Sequence, residues 1–247
     1  MKKINLKNIF NVLGPGFVTA ALVLGPGSIT VCSKAGAVYG YSFLWVILLS
    51  GLFMICYTRM VTRIGCINDK SLLTLIGENY GKVWPVLVGL SVFVSCAGFQ
   101  TGNNIGIGIS MQALFGGNMS FWAFLFTLVS LLFIWTSRNF YNMLEKVMML
   151  MVLVMIAAFV GNLFFIRPDI KEVGMGFLPT LPQDLSLMIA IASTSFSVAG
   201  AAGQCYMVQA KKWKINDLKK GLRDAMTGII FLCALSAIII ITSAAVL

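Results

Sequence analysis

Two short stretches carry the residue types with which this sequence could bind something at membrane depth. Gly25-Pro26-Gly27-Ser28 sits in the middle of the apolar run 22–31, and Gly200-Ala201-Ala202-Gly203-Gln204 sits inside the run 193–209. Proline removes a backbone donor and clashes with the preceding turn, while glycine permits the dihedrals that close a break. In hydrocarbon each unsatisfied backbone group costs several kcal/mol, so unwound chain survives there only inside protein or beside a polar cavity. The chemistry implied is coordination of an ion or small solute by freed carbonyls and amides. Helix breaks are expected at Pro26 and Gly27 and at Gly200 and Gly203. Gly25, Ser28, Ala201 and Gln204 are the expected substrate-binding positions. A plain proline kink, and a small-residue packing face in the second run, would need no ligand, and both alternatives stay open at this point.

A third polar group, in "FQTGNNIGIG", places Gln100, Thr101, Asn103 and Asn104 within another apolar stretch. Gln100 and Asn103 are read as a polar pathway flanking the two breaks. Helix-to-helix hydrogen bonding explains them equally well.

Other chemistries are poorly provided for. Histidine is absent, and the six cysteines lack metal-site spacing, so they read as small buried hydrophobes without a structural disulfide. Scattered Ser, Thr and Cys without acid or base partners argue against an enzyme, and no cofactor is expected. The formal charge of +10 reports membrane topology rather than nucleic-acid binding.

The elements that must position these residues are membrane helices. Of 247 residues 59% are hydrophobic and 11% charged, and the mean hydropathy is +0.92, far from the composition of a soluble domain. A bilayer core about 30 Å thick takes about 20 apolar residues per helix. Such stretches predict seven spans, at 9–38, 41–58, 83–115, 120–136, 144–166, 184–208 and 222–246, and no removable signal peptide. With the N-terminus in the cytoplasm, the inner loops collect every basic residue except Lys34, Arg167 and Lys171. The expected location is therefore a multi-pass protein of the inner or plasma membrane. "KKWKINDLKKGLRD" (211–224) reads as a cytoplasmic connector that meets anionic headgroups. Lys34, in the outer half of the first span, repels cations, holds an anion or merely snorkels to the interface.

Interrupted first and sixth spans match the pattern of transporters built from five-helix inverted repeats. The run 11–51 goes further and resembles the first two helices of the Nramp (natural resistance-associated macrophage protein) metal-ion transporters. Gly14-Pro15-Gly16 is followed by Gly25-Pro26-Gly27-Ser28, where the family has Asp-Pro-Gly-Asn, and then by Gly40-Tyr41 with Leu44-Trp45. "GIGISMQALFG" (106–116), "MLEKV" (143–147) and "GFLPTLP" (176–182) follow in family order. The resemblance implies an all-α integral membrane protein of the leucine-transporter-like inverted-repeat fold, as one domain over 1–247. Its first five-helix repeat would occupy 9–166, and the first two helices of the second repeat 184–247. Relatives have about eleven or twelve helices, so either the reading frame is truncated or split, or a second chain supplies the missing helices.

The resemblance also exposes departures. The family's metal-binding Asp and Asn fall on Gly25 and Ser28, its sixth-helix methionine on Ala201, and the acidic pair of its proton route on Gln100 and Asn103. Carbonyls, Ser28 and amides remain, an oxygen set that suits a hard, partly hydrated ion such as magnesium and not methionine-selected soft metals. The expected function is a secondary transporter, or a fragment of one, moving a divalent cation by alternating access. A carrier of an uncharged solute and a noncatalytic membrane subunit are the alternatives.

Overall fold

A computed structural model describes residues 15–136, 140–166, 168–180 and 184–246. Lys2, Lys3, Lys7, Arg138, Arg167 and the start of the first expected span lie outside the described residues, as does the side chain of Lys146.

Within them the chain is helical throughout: α1 (Pro15–Val23), α2 (Pro26–Tyr39), α3 (Leu44–Ile67), α4 (Leu72–Tyr80), α5 (Val83–Phe115), α6 (Met119–Thr136), α7 (Phe140–Ile166), α8 (Ile170–Met175), α9 (Leu185–Ser195), α10 (Val198–Ala210), a 3-10 turn (Ile215–Asp217) and α11 (Leu218–Val246). The local chemistry of their ends is conventional. Ser71, Asp169, Asp184 and Ser197 each cap a helix start by accepting a backbone N–H. The turn between α5 and α6 runs through Gly116 (φ 71°) and Gly117 (φ 86°), a region that side chains avoid.

Five helical stretches among the described residues are long and apolar enough to cross a bilayer: 44–67, 83–115, 119–136, 185–210 and 215–246. The two remaining expected spans correspond to the α1–α2 pair and to α7, which holds the shorter apolar segment Val154–Leu163. The second span reaches nine residues beyond its expected end at 58, carrying Arg59 and Arg63 inside the continuous helix α3. A basic connector does follow α10, but from Leu218 onward it is already the first turn of α11. Lys214 pairs with Asp69, and the Gln209 amide donates to the carbonyls of Asn68 and Lys70 at 2.9 Å each, so the connector is tied to the α3–α4 turn.

Packing divides the molecule into two zones. α1, α2, α3, α9, α10 and α11 share one core around Leu44, Ile47, Met54, Ile191, Ile229 and Ile239. α11 runs along both halves of the first broken helix. The Asp224 carboxylate accepts from Gly16 N–H at 2.6 Å, and a Cβ on Gly16 would lie 2.8 Å from Ala225 Cα. Farther along, a Cβ on Gly36 would lie 2.9 Å from Ser243 Cβ and closer still to the Ile240 carbonyl. Backbones this near leave no room for side chains, the arrangement that small residues permit between membrane helices. In contrast α5 and α6 present apolar side chains outward, including Phe93, Phe124 and a 90% exposed Trp135. Such a surface suits hydrocarbon as solvent, and the protein is an integral multi-pass membrane protein.

Candidate functional site

The first break falls just ahead of the two residues expected to carry it, and the assignment to Pro26 and Gly27 is corrected: both stand in the first turn of α2. α1 ends at Val23, Gly25 is extended (φ −93°, ψ 179°), and Pro26 opens α2, where its missing N–H is no loss. The freed groups are satisfied nearby: Ser28 Oγ donates to the Val23 carbonyl at 2.8 Å, and Gly27 N–H donates to Asn103 Oδ1 at 3.2 Å. α5 is pressed against this point. A Cβ on Gly27 would stand 2.9 Å from the Gly102 carbonyl carbon, and one on Gly106 would stand 2.8 Å from Pro26 Cβ. A side chain at Gly25 would run into the Asn103 amide, whose Cγ lies 3.1 Å from an added Cβ.

The second break is displaced from its expected place, and the assignment of breaks to Gly200 and Gly203 is corrected. α9 stops at Ser195 and α10 begins at Val198, with Phe196 and Ser197 extended between them. The reason is a cap: Ser197 Oγ accepts from Gly200 N–H at 3.0 Å, which sets Gly200 to Gly203 in the first turns of a regular helix. The small residues serve packing instead, since a Cβ on Gly200 would be 2.7 Å from Val23 Cγ2. Phe196 is held edge-on by Phe53 and Tyr57 of α3, with centroids 6.5 and 6.1 Å away.

The start of α2, just past the first break, faces the second break across a cavity of about 450 Å³. α2 supplies Gly27, Ser28 and Val31; α5 supplies Ser95, Gly98, Phe99 and Gly102; α9 and the second break supply Ala190, Ser193, Thr194 and Phe196 to Val198. Among the described residues no ionisable side chain lines it. Most of its hydroxyls have already spent their hydrogens on backbone carbonyls: Ser28 on Val23, Ser95 on Ser91 at 2.8 Å, Ser193 on Ala190 at 2.9 Å and Thr194 on Ile191 at 3.0 Å. What these groups still offer is oxygen lone pairs, the hard donors that cations accept. Ser197 differs, because its oxygen accepts from Gly200 and its own hydrogen is left to donate.

The other expected positions fall outside this lining. Ala201 is fully buried in the main core. Gln204, also fully buried, takes the Thr19 hydroxyl on Oε1, while its Nε2 has no partner among the described residues. Asn103 sits beside the chamber as the brace of the first break. Gln100 points elsewhere: its Nε2 donates to Asn104 Oδ1 at 2.9 Å, and Asn104 also accepts from Thr127 of α6 at 3.3 Å. That is the helix-to-helix reading of the polar cluster, realised between α5 and α6. Sequence reasoning overlooked Ser193, Thr194, Phe196, Ser197 and Phe99. Ser197 alone had a signal, a hydroxyl immediately before a helical run. No cluster of His, Cys, Asp or Glu able to hold a metal is found among the described residues.

Comparison with known proteins places this geometry. Residues 16–247 match the family described as natural resistance-associated macrophage protein-like (Nramp). The divalent metal cation transporter MntH of Yersinia pestis (strain Pestoides F) is 27% identical over 193 residues, covering 77% of this chain and 46% of the relative. MntH of Yersinia pseudotuberculosis serotype O:3 matches to the same extent. Among solved structures, mutant forms of the Eremococcus coleocola manganese transporter superpose with TM-scores of 0.77 and 0.78 at 15% identity, covering 99% of this chain and 53% of theirs. The chain thus has the leucine-transporter-like fold of those proteins and spans about half their length. The matched relatives are transporters, not enzymes.

Proposed function

The chain belongs to the Nramp family, and from that premise we propose that it forms the substrate-holding half of a secondary transporter that carries a divalent metal cation by alternating access. The cation passes as a hard, partly hydrated ion, with magnesium the best fit. The observation that carries this reading is the chamber between the start of α2 and the second break, lined by serine and threonine oxygens and, among the described residues, by no carboxylate, imidazole or thioether. Magnesium dehydrates reluctantly and keeps several waters, so it asks for room and oxygen acceptors more than for a tight charged cage. Six waters at about 30 Å³ each fit within such a volume. Ser28, Ser193, Thr194 and Ser197 then meet the ion's water shell, while Phe99 and Phe196 form the apolar wall. A thioether that would select softer metals is missing from the lining.

Alternating access needs the remaining helices of the fold, and a second chain supplies them in this reading. An uncharged solute is the second candidate substrate, favoured by the same lack of charge in the chamber. Uptake into vesicles of membranes containing the protein discriminates. The cation reading expects magnesium uptake exceeding manganese uptake, reduced several-fold in Ser28→Val and in Ser197→Val. Uptake of neither ion by folded protein overturns it.

A further inference from the structure

A second cavity lies along α2 beside a different set of its residues, reaching toward the Tyr39 end. Where the chamber uses Gly27, Ser28 and Val31, this cleft of about 630 Å³ uses Ile29, Thr30, Ser33, Lys34 and Ala37, closed by Ser110 of α5, Asn162 and Ile166 of α7, and Thr242, Ser243 and Val246 of α11. All of these elements contribute residues near the ends that share Tyr39, Phe115, Ile166 and Val246.

Its polar composition has one sign. Lys34 supplies an ammonium, and among the described residues no carboxylate pairs with it; ion pairs join Lys70 to Glu78 and Lys214 to Asp69. Thr30 and Thr242 have turned their hydroxyls to backbone carbonyls, whereas no hydrogen bond engages Ser33, Ser110, Asn162 or Ser243 within the structure. Lys34, Ser110 and Asn162 are exposed, so the cleft is open to a ligand, and an ammonium with hydroxyl and amide donors beside it answers an oxyanion rather than a metal. Ile29, Phe159 and Ile166 complete the cleft with an apolar floor.

We infer that this cleft binds a phosphate oxyanion, with Lys34 as its charge partner and Ser33, Ser110, Asn162 and Ser243 as neutral donors. The inference stands apart from the cation reading of the chamber, since the two cavities share no lining residue. Anionic phospholipid and inorganic phosphate share this chemistry, and the test distinguishes them. The purified protein is heated in detergent with phosphatidylglycerol, with phosphatidylcholine, or with inorganic phosphate against chloride at equal ionic strength, and lipid retention is counted by native mass spectrometry. The expected result is a raised unfolding temperature and a retained phosphatidylglycerol in the native protein and in Lys34→Arg, both lost in Lys34→Gln. A shift produced by inorganic phosphate as well assigns the cleft to a free anion; a shift confined to phosphatidylglycerol assigns it to lipid. Equal responses of native protein and Lys34→Gln in every arm overturn the inference and leave Lys34 as a snorkelling side chain.

Discussion

At Gly25 the chain leaves helix with no side-chain cap of its own and is braced by Asn103 from another helix, whereas at Ser197 it re-enters helix on its own hydroxyl. The first break is therefore completed by a tertiary contact: Ser28 satisfies the Val23 carbonyl locally, and α5 brings the Asn103 amide oxygen to the Gly27 N–H. The second is local, written in the residues that make it. Both solve the same problem, freed peptide groups at membrane depth, but only the first should depend on a distant residue.

The sharpest way to break this contrast is Gly25→Val, which drives a branched side chain into the Asn103 amide. The expected cost is about 1–3 kcal/mol, the usual penalty of overpacking, measured as a lowered unfolding midpoint in detergent. Combining it with Asn103→Ala should recover most of the loss, and additive costs would show that the two residues do not press on each other. Ser197→Ala comes next, at about 1 kcal/mol for a lost N-cap, with Ser197→Asp retaining stability and no coupling to Asn103. The smallest effect is expected at the residues once read as the break. Gly203→Ala meets nothing nearer than Met207 Cε at 3.9 Å and should stabilise α10 by up to about 1 kcal/mol. Gly200→Ala should forfeit that gain against Val23.

The same contrast explains what could be read from residues alone. Pro26 between two glycines is a strong punctuation mark, and it locates the first break to within two residues, with Pro26 itself opening the next helix. In the second helix the glycines drew attention to themselves, but a glycine inside a packed helix and a glycine at a break look alike in sequence. The decisive signal was the hydroxyl of Ser197, three residues upstream of the amide it caps. Gln100 misled for a different reason: its neighbour Phe99 lines the chamber, and one step along a helix turns a side chain by about 100°. Which face of α5 met the breaks was a property of packing, and apolarity all round that helix gave no phase from which to infer it. The membrane class followed from composition, because an apolar surface on this scale has no place in water.

One further consequence follows from α11, which grips Gly16 near Asp224 and Gly36 near Ile240. Sixteen residues of unbroken helix, about 24 Å at 1.5 Å per residue, act as a ruler laid across the gap in the opening helix. The outer tips of both short segments are thereby kept at a set spacing.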